Sequence, residues 1–88
     1  MADLVPGYLA IVAQDLGTIR LAIQKGDPET AKRKAHNLAG SGGAYGFAEI
    51  TRIGREMGAA AKENQLSAVS QLVQQLEDYL ATVEITSK

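Results

Sequence analysis

The chain has 88 residues, a formal net charge of −1, 45% apolar and 22% charged residues, and no cysteine. This is enough for one domain with a modest core but not for an elaborate enzyme pocket, and the mixed charges exclude the broad cationic field that nucleic acid or an anionic membrane requires. Without cysteine there is no disulfide framework or thiolate site; no apolar run approaches the roughly 20 residues that span a bilayer, and MADLVPGYLA lacks a signal peptide's basic start and cleavage site, so the expected compartment is the cytoplasm.

Leu9, Val12, Leu16, Ile19 and Ile23 alternate at spacings of three and four, which places them on one face of a first helix. Pro6 is tolerated near its start and Gly26 stands where it would stop. Tyr8 and Ile11 lie off this stripe and are candidates for an outward docking surface. Asp27-Pro28-Glu29 then supplies an N-cap, a first-turn proline and an acidic residue for the positive end of a second helix dipole. This second helix buries Ala31, Ala35, Leu38, Gly42 and, by continued spacing, Tyr45. Ile50, Ile53, Met57 and Ala60 or Ala61 mark a third helix; Leu66, Val69, Val73, Leu76, Leu80 and Val83 mark a fourth, with ITSK expected to fray.

No stretch shows the period-2 alternation of a half-buried strand, and the connections near 26–27, 43–46 and 64–66 are short, which makes sequential helices antiparallel neighbours. The expectation is an all-α protein: a single domain over residues 1–88, folded as an antiparallel up-down-up-down four-helix bundle. Such a bundle buries its own apolar stripes, so a monomer is expected.

The only histidine, His36, begins a segment crowded with Gly40, Gly42, Gly43 and Gly46. Each glycine inside a helix costs roughly 1 kcal/mol relative to alanine. At 100° per residue His36 lies roughly 140° from the centre of the buried stripe and therefore faces outward. Its neighbours at helical spacing are Lys32 and Arg33 on one side and Ala39 and Gly40 on the other, with Gly43 a turn further. Gly46 reads as the residue just beyond a helix end, and Gly42 either packs against a neighbour or joins the bare patch. Gly40 has no such structural use; it makes sense where another surface must approach the ring. A lone histidine is usually a surface or core residue, and Lys32, Arg33 and Lys34 taken alone read as a solvated face. Together, an outward imidazole, adjacent cations and a cleared surface suit acceptance of a phosphoryl group. Imidazole titrates near neutrality, and phosphoryl transfer asks an acceptor for little beyond in-line placement and charge neutralisation.

Other chemistries fall away. The chain has no glycine-rich phosphate loop after a strand and no kinase signature, so it is not expected to bind ATP or to act as an enzyme beyond serving as acceptor and donor. No metal site is expected, because no Asp or Glu stands three or four positions from His36. A hydrolase built on Ser41 and His36 fails because side chains five apart leave different faces of a helix. Glu49, Glu56, Glu63, Glu77 and Asp78 read as solvated faces, while Arg52 and Arg55 are further candidates to border the docking surface.

His36-Asn37-Leu38-Ala39-Gly40-Ser41-Gly42, followed by Ala44-Tyr45-Gly46-Phe47, resembles the histidine-containing phosphotransfer (HPt) domain of multistep two-component signalling. That family's pattern runs His-x-Leu-Lys-Gly-Ser/Ala-small with a later glycine, often after basic residues, here Lys32 and Arg33. The likeness covers nearly the whole chain, with the outer helices matching only as amphipathic pattern. It implies that His36 is phosphorylated, that Gly40 admits the partner's active site, and that Leu38 and Gly46 are structural, Gly46 closing the motif helix. The implied function is a phosphorelay carrier that takes a phosphoryl group from a receiver-domain phosphoaspartate and passes it to another receiver. The implied partners are response-regulator receiver domains and a hybrid histidine kinase, with Mg²⁺ on the receiver and no cofactor on this chain. One position departs from the pattern: the usual lysine three after the histidine is Ala39, so Lys32 or Arg33 is expected to supply the missing charge. The competing reading is a non-phosphorylated receiver-binding or helical interaction module in which His36 is incidental. A sensor kinase's dimerisation helix pair also displays histidine, but four compact helices in one chain fit it less well.

Overall fold

A computed structural model describes residues 4–86 and places them in four helices: α1 (Leu4–Lys25), α2 (Pro28–Ser41), α3 (Ala48–Lys62) and α4 (Leu66–Thr86). A single 3₁₀ turn, Gly43–Tyr45, links α2 to α3, and there is no strand among the described residues. Each helix packs on its sequence neighbour, and α1 closes the ring against α4. The result is the expected all-α four-helix bundle. Residues 87–88 of the expected frayed tail lie outside the described residues, whereas residues 85–86 continue α4.

The start of α2 follows from its sequence. Asp27 is the N-cap: its Oδ1 accepts the Thr30 backbone N–H at 3.2 Å, its Oδ2 accepts the Thr30 hydroxyl at 2.6 Å, and Pro28 occupies the first turn, where its missing N–H costs nothing. The Thr30 hydroxyl first, and its backbone N–H second, hold the Asp27 carboxyl below its ordinary range. A carboxylate depressed in this way stabilises the fold above its unfolded-state pKa and loses that contribution as pH falls through the folded-state value. Asp27→Ala is therefore expected to melt below wild type near neutrality, with the gap closing below about pH 4 in a thermal-denaturation series.

The interior is built from Val12, Leu16 and Ile19 of α1, Leu38 of α2, Ile50, Ile53 and Met57 of α3, and Val69, Val73 and Leu76 of α4, all fully buried. Ala60 and Ala61 are both buried. Arg20 of α1 forks onto Glu77 of α4 with Nε at 3.0 Å from Oε2, a half-exposed ion pair that adds little to stability.

Two aromatic residues depart from the expected pattern. Tyr45 is 40% exposed, because α2 ends at Ser41 and the chain tightens into the 3₁₀ turn, which breaks the helical phase that would have carried it inward. Tyr8 is buried, at 5% exposure, and so is not a docking residue. The Tyr45 ring stacks on Tyr8 at a centroid distance of 4.1 Å, Phe47 lies at 6.1 Å from it, and the Tyr8 hydroxyl is 2.8 Å from Ser41 Oγ. The segment after α2 thus folds back over the start of α1. Gly46, at φ 85°, makes the left-handed turn that ends the 3₁₀ segment and sends the chain into α3.

Candidate functional site

With its phase set by the Asp27 cap and its apolar face by Ala31, Ala35 and Leu38, α2 turns His36 to solvent. Lys32 and Arg33 precede it by one turn and Ala39 and Gly40 follow by one turn, as the helical spacing requires. Gly40 is open: a Cβ there would meet nothing within 4 Å. Gly43 is exposed, its backbone N–H donating to Thr51 Oγ1 at 2.7 Å, and a Cβ on it would make only ordinary contact at 3.6 Å. Gly42 has the other role. A Cβ on it would fall 2.6 Å from the Thr51 backbone nitrogen and 2.8 Å from the Phe47 carbonyl oxygen, so its bareness admits the start of α3.

A second close approach lies beside the histidine. A Cβ on Gly54 would sit 2.7 Å from the Ala39 backbone nitrogen and 3.1 Å from the Ala35 carbonyl oxygen. At this level α2 and α3 meet backbone to backbone, leaving a shallow groove of about 510 Å³ next to His36. Its rim carries Glu29, Lys32, Arg33 and His36 from α2 and Arg55 from α3; its floor is Ala39, Gly54, Gly58 and Ala59. Sequence reasoning gave Arg55 only as a possible border residue alongside Arg52. The usable signal was Gly54, a mid-helix glycine directly before Arg55, which calls for a helix lying close by.

The basic residues divide by partner. Lys34 turns toward α1, with Nζ 3.8 Å from Asp15, and Lys32 Nζ stands 4.0 Å from Glu29. Arg52 is held by Glu49 and Glu56; these bonds, the one to Glu49 foremost, raise its pKa above the ordinary arginine value and lower that of Glu49. Among the described residues Arg33 and Arg55 make no ion pair, so the groove beside His36 keeps net positive charge. On the far side of α2, Ile11 is 55% exposed and borders a hollow between α1 and α2 with Tyr45, Asn37 and Ser41. Among the described residues no group of three or more metal-ligating side chains converges, and no helix is long and apolar enough to cross a membrane.

Fold and site together define a small helical-bundle domain that displays one histidine on the outer face of its second helix, beside cations and over a surface cleared of side chains. The chain belongs to the Hpt domain family, whose pattern it matches over residues 3–86. Hpt domains are histidine phosphotransfer carriers of two-component phosphorelays rather than classical enzymes, and they interact with receiver domains and kinases. No curated protein and no solved structure matches the chain.

Proposed function

We propose that the chain is a phosphorelay carrier in which His36 is the residue phosphorylated. The observation that supports this most directly is the exposed imidazole at the rim of a cationic groove, with Gly40 open beside it. Nε2 of neutral His36 attacks the phosphorus of a receiver's aspartyl phosphate; the N–P bond forms, the aspartyl O–P bond breaks, and the carboxylate leaves with the bonding pair. Nδ1 keeps its proton, so the product ring is a phosphorylated imidazolium, and the reverse sequence delivers the group to a second receiver. The receiver brings the Mg²⁺ that the reaction uses. Lys32 and Arg33 neutralise phosphoryl oxygens from the preceding turn, while Ala39, Gly40 and Gly43 keep the approach clear. Leu38 anchors the helix from the core and Gly46 closes the motif segment. The carrier acts as a monomer in the cytoplasm.

The alternative, a receiver-binding module that holds no phosphate, draws on Ala39, which brings only a methyl group where the family pattern has a lysine. Incubation with a panel of phosphorylated receivers separates the two. A carrier acquires an acid-labile, base-stable phosphoryl group; a docking module binds receivers and stays unlabelled.

A further inference from the structure

The two arginines of α3, three residues apart, have different surroundings. Arg52 donates through Nε and Nη2 to Glu49, both at 2.9 Å, and through Nη1 to Glu56 at 2.7 Å. Its guanidinium is committed along its own helix. Arg55 stands on the rim of the His36 groove and makes no ion pair among the described residues. Its own helix explains why: the positions three and four away are Thr51, Arg52, Gly58 and Ala59, none of them acidic. The one carboxylate on the groove, Glu29, is on α2 beside Lys32.

The groove floor suits a residue that must reach across. Ala39, Gly54, Gly58 and Ala59 carry at most a methyl group, and the contact of Gly54 with the Ala39 and Ala35 backbones draws this part of α3 against the helix that carries His36. A guanidinium offers paired N–H donors in a plane that matches two phosphoryl oxygens, and an uncommitted one loses no existing bond on turning to them.

We propose that Arg55 binds the phosphoryl group on His36 from α3, so that the anion is held between two helices, with Lys32 and Arg33 on one side and Arg55 on the other. This rests on the phosphorelay reading above and adds a residue that acts on the transferred group itself rather than on the docked partner.

A small donor isolates that action, because no protein surface docks. With phosphoramidate, His36 Nε2 forms the N–P bond, the donor's P–N bond breaks and ammonia leaves. The experiment compares second-order labelling rates of wild type, Arg55→Ala, Arg55→Lys and Lys25→Ala, the last a charge control at the end of α1, with circular dichroism confirming the fold of each. Arg55→Ala is expected to label roughly fivefold more slowly, as for loss of one charge-assisted contact at a solvated site, with Arg55→Lys recovering most of the rate and Lys25→Ala matching wild type. Equal rates for Arg55→Ala and wild type, or an equal loss in Lys25→Ala, overturn the role of Arg55 and leave the carrier reading standing. Wild type that labels neither with phosphoramidate nor with phosphorylated receivers overturns both.

Discussion

His36→Gln is expected to take up no phosphoryl group from any receiver while keeping the wild-type fold. Glutamine is close in size and polarity, but its amide nitrogen has no lone pair available to attack phosphorus. The fold should not notice, because position 36 is exposed and such surface substitutions move stability by about 0.5 kcal/mol or less. Receiver binding should persist, since the small-residue surface around it is untouched. Gly40→Gln provides the complementary result: His36 remains, but a long side chain now stands on the cleared surface one turn away. That variant is expected to label with phosphoramidate at the wild-type rate and with phosphorylated receivers at least about tenfold more slowly, since a clash across a close interface is worth more than about 1.4 kcal/mol. Labelling of His36→Gln, or equal receiver-dependent rates in Gly40→Gln, would place the acceptor or the docking surface elsewhere.

Gly54→Ala is expected to lower stability and Gly40→Ala to raise it, although both insert the same methyl group into a helix. At Gly40 the new Cβ meets nothing within 4 Å, so only the helix-propensity gain remains, about 0.4–1 kcal/mol. At Gly54 it meets the Ala39 nitrogen at 2.7 Å and the Ala35 oxygen at 3.1 Å, both backbone atoms that cannot rotate aside. The helices must separate, and overpacking of this kind costs about 1–3 kcal/mol, which exceeds the propensity gain. For a domain of this size each kcal/mol moves the melting midpoint by roughly 4–8 °C, so the two variants should fall on opposite sides of wild type in one thermal scan. Equal shifts would mean that α2 and α3 do not meet backbone to backbone beside the histidine.

The same pair of glycines shows where local reading stops. Helix propensity treats Gly40, Gly42 and Gly54 alike, as residues that weaken a helix. What separates them is the distance from each missing Cβ to a backbone remote in sequence. The sequence left Gly42 undecided between packing and a bare surface, and only the approach of Thr51 and Phe47 assigns it to packing.

What the sequence by itself determined is what depends on neighbours a few positions away. The Asp27-Pro28 start of α2, the apolar stripes of all four helices and the outward direction of His36 follow from caps and from 100° per residue, and the structure has each of them. The motif carried the family as well, because its residues are local to one helix and the turn after it. The tertiary structure alone decided the exchange of Tyr8 for Tyr45 in the interior, since burial there depends on a turn folding back across α1. It also decided which arginine of α3 lines the groove beside His36. The glutamates at helical spacing from Arg52, and their absence around Arg55, are local to α3; the groove beside Arg55 is not, because it lies where two helices approach at Gly54.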